Sequence, residues 1–363
     1  MDNGLTYIFV HGLSGWGSYD AAYKLMPYWG MRGGDLIKYL RREGYACYAA
    51  SVSPSGSAWD RACELYAQLA GTRVDYGEAH TRKYRHQRFG RDFSSCPLIP
   101  CFDDDTRLVL LGHSFGGATV RMLAELMAHG DAGEQETRDP SRLFLGGMEK
   151  RIHALVTLAS PLNGTTAYDL FGDAAFRSEK VRVPWWSRML ARMMDIGTRP
   201  KKDGRDKRDC AAFDMHVDNA LSLNRRFKTL PGVYYFSVPC SATFLQPDGT
   251  YRPNPKKMEI QYLFVQRACQ IGCWTGKTAG GFIIDENWLE NDGLVNTISA
   301  RAPIGETFTL LDETDIRPGV WNVFPTFNGD HMSLQGGLLK KRDIRPFYMK
   351  LLRLIPVMQN SDK

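Results

Sequence analysis

The sequence predicts an α/β fold, with a mostly parallel sheet and helices on both faces. Three observations predict it. Apolar strand-like runs alternate with helix-like runs from residue 7 to residue 238. The strand-like runs are apolar nearly throughout, as in strands buried on both faces. Hydrophobic residues make up 43% and charged residues 24% of the 363-residue chain, a globular balance. That length suits one α/β domain over residues 1–363 with insertions, and no linker or internal repeat divides it.

The elements follow in order. Residues 7–10, Tyr-Ile-Phe-Val, are apolar and form the first strand. Residues 34–42 have helical spacing and lead into a strand at 47–52. A helix lies near Ala58–Ala70. The run 108–111, Leu-Val-Leu-Leu, ends at Gly112 and reads as a buried strand. Residues 118–127 after it have helical spacing. Residues 152–159 are another buried strand, and 233–238 a later one. Three segments break the rhythm: 71–101, which is basic and aromatic, 165–210 and 241–291. They are expected as insertions at one end of the sheet, where ligand sites form in such folds.

The junction at Gly112-His113-Ser114-Phe115-Gly116-Gly117 carries the sharpest signal. Glycines two positions either side of Ser114, between strand and helix, form a nucleophile elbow. Side chains at Gly112 and Gly116 would clash in so tight a turn, which holds Ser114 strained with its Oγ above the sheet. A serine nucleophile needs a base, and the base needs an acid to orient it. His153 lies in a strand run and reads as a packed residue, and His216 lies on a helix-like stretch. His331 sits in a turn-rich loop near the C-terminus, where the base belongs in the order serine, acid, histidine. Asp292 is the expected acid, because Asn291-Asp292-Gly293 forces a turn that can aim its carboxylate. Asp285 and Asp312 are its rivals. The chemistry also needs backbone N–H donors for an oxyanion. Phe115, after the nucleophile, supplies one. Leu13, after the strand that ends in His11-Gly12, supplies the other, with His11 itself structural.

Composition excludes several classes. The net charge of +6, from 46 basic and 40 acidic residues, is too small and dispersed for nucleic-acid binding. The basic run at 199–209 is interrupted by acids and reads as a solvated loop. No run approaches the length of a transmembrane helix. The N-terminus enters a strand without a signal-peptide pattern. The eight cysteines contain no C-x2-C pair for a metal, although Cys96 with Cys101, or Cys269 with Cys273, lie close enough in sequence to bridge.

The residues resemble those of the zinc-containing lipases of bacilli and staphylococci, the thermoalkalophilic-type branch of the α/β hydrolases. The likeness runs from Phe9 to His331. It is densest at Val10-His11-Gly12-Leu13-Ser14-Gly15-Trp16-Gly17, at Trp59-Asp60-Arg61-Ala62-Cys63-Glu64, and at His86-Gln87-Arg88-Phe89-Gly90-Arg91. It implies an α/β-hydrolase fold and a triacylglycerol lipase that works through a Ser-Asp-His triad and an acyl-enzyme. A short-chain carboxylesterase, a phospholipase, a non-catalytic lipid-binding protein and a metallohydrolase with catalytic zinc are the competing expectations. The resemblance further implies a structural zinc held by Asp60, His80, His86 and Asp214. Two carboxylates and two imidazoles suit four-coordinate zinc and leave no open position. A family calcium site is expected to be lost, because Ser333 and Leu338 stand where acidic ligands would be. The segment between Ser160 and Asp214 is short, and residues 183–194 are amphipathic, as in a lid. The partners implied are a lipid or other ester, at a lipid–water interface, with the protein a monomer or weak oligomer. The family is secreted, whereas the missing signal pattern points to the cytoplasm.

Overall fold

Seven strands pair side by side, all parallel, in a computed structural model that describes residues 4–170, 204–258, 264–337 and 341–356. In chain order they are β1 (Thr6–Val10), β2 (Ala46–Ala50), β3 (Leu108–His113), β4 (Ile152–Leu158), β5 (Tyr234–Val238), β6 (Phe308–Leu310) and β7 (Trp321–Val323). Their spatial order is β6-β7-β5-β4-β3-β1-β2. Every residue of β3 and β4 is buried. Alternate residues face opposite sides of the sheet. Ile8, Val10, Leu108 and Leu110 pack in one core with helices α2 (Ala58–Ala70) and α4 (Gly116–His129). Tyr7, Phe9, Val109 and Leu111 pack in a second core with α1 (Leu36–Arg42) and α5 (Arg345–Leu354). Helices therefore cover both faces, as the continuous apolar runs require.

Local chemistry sets the boundaries. Helix α1 starts at Leu36 rather than residue 34, because the Asp35 side chain accepts from the Lys38 N–H and Gly34 has φ +100°. Strand β2 ends at Ala50, two residues early. There the Ser51 N–H turns to Gln68 Oε1 at 3.0 Å and the Val52 N–H to His11 Nε2 at 3.3 Å. Strands β6 and β7 are three residues each, too short to produce a period in the sequence. The 71–101 segment folds as an antiparallel pair, Arg73–Asp75 with Phe89–Asp92, around helix α3 (Glu78–Tyr84). Segment 241–291 carries two short hairpins. The expected lid at 183–194 lies outside the described residues. All eight cysteines are free, so neither close pair is a disulfide. Among the described residues no helix is long and apolar enough to cross a membrane.

The sheet and α4 meet backbone to backbone at the elbow. A Cβ on Gly112 would lie 2.3 Å from the Gly116 carbonyl oxygen, and one on Gly116 2.4 Å from the Val10 carbonyl oxygen. Neither neighbour is a side chain that could rotate away. Gly116→Ala should therefore cost at least about 2 kcal/mol of stability, as strain or overpacking does at such sites. Urea unfolding measures this, and an unchanged midpoint would contradict the packing described.

Candidate active site and metal centre

Ser114 leaves β3 with φ +54°, a left-handed conformation that non-glycine residues rarely adopt. Its N–H donates to the Leu158 carbonyl at 2.8 Å, and its own carbonyl accepts from Gly117 at 3.0 Å. The strained turn is thus pinned on both sides. His331 Nε2 lies 2.8 Å from Ser114 Oγ, and His331 Nδ1 lies 2.8 Å from Asp292 Oδ2. A carboxylate at Nδ1 places the imidazole proton there, which leaves Nε2 to accept from the serine hydroxyl. The other oxygen of Asp292 accepts from the Leu294 and Val295 N–H groups at 3.0 and 2.8 Å. The Asn-Asp-Gly turn therefore occupies one carboxylate oxygen and aims the second at histidine. The loops are also joined directly, since the His331 N–H donates to the Asp292 carbonyl at 3.0 Å.

The rival residues are engaged elsewhere. Asp285 accepts from Asn287, and Asp312 from Thr314, both in local turns. His153 Nε2 lies 2.6 Å from the Pro356 carbonyl, and His216 Nδ1 lies 2.9 Å from Asp169.

Leu13 and Phe115 come from separate segments beside Ser114. Among the described residues, neither N–H finds an acceptor. The peptide before each is held so that its N–H points away from the supporting contact. The Gly12 carbonyl lies 2.8 Å from His11 Nδ1, and the Ser114 carbonyl accepts from Gly117. Because peptides are planar and trans, the following N–H points the opposite way. The Gly12 N–H donates to Tyr28 Oη at 2.9 Å, and Tyr28 Oη lies 2.8 Å from His113 Nδ1. His113 Nε2 in turn lies 2.9 Å from the His331 carbonyl. Burial holds His113 neutral by pushing its pKa well below the usual range. His11 is likewise driven down to about 3 by burial and by Arg61. A cleft lined by Phe115, Ala118, Pro161, Leu162, Leu223 and Phe227 lies beside the elbow.

A second cluster lies on α2, α3 and the turn at 206–209. Asp60, His80, His86 and Asp209 each offer one ligand atom, all within 4.8 Å of one another. His80 Nε2 is 3.3 Å from Asp60 Oδ1 and 3.4 Å from Asp209 Oδ1, while His86 Nε2 is 3.2 Å from Asp209 Oδ2. These buried atoms have no hydrogen-bond partner. Orphaned donor atoms converging on one point fit a metal ion. The surroundings fit as well. His86 Nδ1 lies 3.0 Å from the Gln87 carbonyl, which directs the lone pair of Nε2 inward. His80 stacks on Trp59 with ring centroids 4.8 Å apart. The buried Glu134 carboxylate accepts from the Ala79 and His80 N–H groups, so it caps the first turn of α3.

One expected ligand is corrected. Asp214 does not enter the cluster. Its Oδ2 accepts from the Ala58 N–H at 2.8 Å, at the start of α2, and burial pushes its pKa up to about 7. Asp209 takes the place. It ends the basic run that the sequence presents as a solvated loop, yet its side chain is buried. The available signal was the apolar Cys210-Ala211-Ala212 directly after it. At the expected calcium position, Ser333 Oγ donates to Asp330 Oδ1 at 3.0 Å. Leu338 lies outside the described residues.

A parallel sheet covered on both faces, with a serine on a strained strand-to-helix turn and histidine and aspartate on later loops, defines an α/β-hydrolase-type protein. The chain belongs to the lipase-like, C-terminal domain family, whose profile matches residues 3–189 and 200–351. It is 31% identical to lipase 2 of Staphylococcus aureus over 363 residues, 91% of this chain. It spans about half the length of that curated relative, 50%. Among solved structures it is similar to EstA from Clostridium botulinum, with 30% identity and a TM-score of 0.82 over 98% of this chain and 88% of that one. The Staphylococcus hyicus lipase gives 28% identity and a TM-score of 0.77 over 97% and 96% of the two chains.

The corrected ligand set has a direct check. Asp209→Asn should abolish stoichiometric metal binding, measured by elemental analysis after dialysis, whereas Asp214→Asn should retain it. Equal retention by both variants would contradict the cluster.

Proposed function

We propose that this protein is a carboxylic-ester hydrolase, acting as a triacylglycerol lipase on lipid esters. The observation that carries the reading is the Ser114–His331–Asp292 relay, with 2.8 Å at both contacts, beside the Leu13 and Phe115 N–H groups, which find no acceptor among the described residues. His331 Nε2 takes the hydroxyl proton as Ser114 Oγ attacks the ester carbonyl. Asp292 keeps the imidazole oriented and stabilises the imidazolium that forms. The Leu13 and Phe115 N–H groups receive the oxyanion. Collapse of the tetrahedral intermediate expels the alcohol, which takes its proton from His331. Water, activated by the same histidine, then releases the acid. The lipase names of the similar proteins support an acyl substrate.

We assign the metal as zinc in a structural role. Asp60, His80, His86 and Asp209 would hold it, and the four donors would close a tetrahedral site. The two carboxylates offset the charge of the ion and also pair with the Arg205 guanidinium beside them. The metal would tie α3 and the 206–209 turn to α2, and the ester chemistry stays with the triad. Metal removal by a chelator is therefore expected to lower Tm, and activity measured below that lower Tm should persist in part.

A serine-reactive fluorophosphonate probe should label the wild type and leave Ser114→Ala unlabelled. Asp292→Asn should lower kcat by roughly 10⁴-fold, the scale seen when such a histidine loses its orienting carboxylate. On long-chain esters the rate should jump above the solubility limit. Equal labelling of Ser114→Ala would refute the nucleophile, and turnover of short soluble esters alone would shift the reading to a carboxylesterase.

A further inference from the structure

We propose that Arg61 is a positioning residue that sets the aim of the Leu13 oxyanion-hole donor and its separation from the Phe115 donor. The inference rests on the ester-hydrolase reading above. Arg61 lies on α2, and its side chain is fully buried. Among the described residues no carboxylate lies within ion-pair distance of it. Glu64, on the same helix, acts on it electrostatically without a direct ion pair, so its burial still depends on satisfied donors. Here they are satisfied by the two segments that build the oxyanion hole.

On one side, Nη2 donates to the His11 carbonyl. Nη1 donates to the Ser53 carbonyl at 3.0 Å and reaches the Gly12 carbonyl at 3.4 Å. Gly12 C=O and Leu13 N–H belong to one planar trans peptide. Drawing that carbonyl toward Arg61 therefore turns the Leu13 N–H away, toward Ser114. On the other side, Nε donates to Thr119 Oγ1 at 2.8 Å, and the Thr119 hydroxyl donates to the Phe115 carbonyl at 3.3 Å. The guanidinium carbon also lies 5.2 Å from the centroid of the Phe115 ring. One rigid fork thus holds the loop that presents Leu13 and braces the Phe115 ring and carbonyl, which fixes how far apart the two segments stand. Lysine offers a single flexible centre and cannot reproduce this geometry.

The test compares Arg61→Lys and Arg61→Ala with wild type on a soluble ester. Active sites are counted by the end-point of fluorophosphonate labelling, so that lost folding is not mistaken for lost rate. Per titrated site, kcat should fall about tenfold or more, as misplaced oxyanion donors require, with KM within about twofold. Affinity for a trifluoromethyl ketone, which forms a tetrahedral oxyanion on serine, should weaken by the same factor as kcat. Added guanidinium ion should restore part of the activity of Arg61→Ala. If Arg61→Ala does not fold, Arg61→Lys decides on the same rate and ketone readouts. A kcat per site within twofold of wild type in Arg61→Lys overturns the proposal. So does a fall in kcat with unchanged ketone affinity. Failure of the wild type itself to hydrolyse esters or to be labelled strikes the hydrolase reading instead, so the two failures are distinguishable.

Discussion

The site depends on the passage of Gly116 against the carbonyl of Val10, where a Cβ would lie 2.4 Å from the oxygen. That contact brings the start of α4 against the end of β1. It sets the Ser114 turn beside the loop that follows β1, where the Leu13 and Phe115 segments meet. No side chain can substitute for it, because the approach is between backbones. The left-handed Ser114 is sustained by the same packing, which over-determines a conformation that would otherwise relax.

Around this contact the protein buries an unusual amount of polar chemistry. Tyr28, His113, His11 and Arg61 are all buried between the loop after β1 and the loops that carry Ser114 and His331. Their hydrogen bonds end mostly on backbone groups of those loops: Gly12 N–H, His331 C=O, His11 C=O and Gly12 C=O. Each buried polar group left unpaired would cost about 1–3 kcal/mol. The network therefore penalises any shift of the two loops relative to each other. Neutral His113 suits this role, since it can donate at one nitrogen and accept at the other.

The metal cluster obeys a different logic. Arg205 pairs with Asp60 Oδ2 and Asp209 Oδ2 from one side, while Asp60 Oδ1, Asp209 Oδ1 and the two imidazole Nε2 atoms lack hydrogen-bond partners, an arrangement that an ion would satisfy. Asp60 and Arg61 are neighbours on α2, one facing the cluster and the other the oxyanion loop. A single helix start, capped by Ser57 and contacted by Asp214, thus anchors both regions.

Much of the fold, and the meeting of Ser114, His331 and Asp292, was legible in the sequence. Strands β1, β3, β4 and β5 announced themselves as continuous apolar runs, because burial on both faces leaves no polar alternation. Gly112 and Gly116 marked the elbow, because only glycine fits where backbones touch. Asn291-Asp292-Gly293 marked the carboxylate that meets His331, because that turn uses one carboxylate oxygen and frees the other. Strands β6 and β7 escaped because three residues make no period. Asp209 escaped because a ligand in a charged run looks solvated until the chain folds it under α3. Arg61 carried no sign of its burial beyond its place in a helix. The sequence by itself determined which elements form and which serine is strained, since those follow from local pattern and steric fit. Only the tertiary structure decided which aspartate meets the histidine pair and where a buried guanidinium directs its donors, because those partners come from segments far apart in the chain.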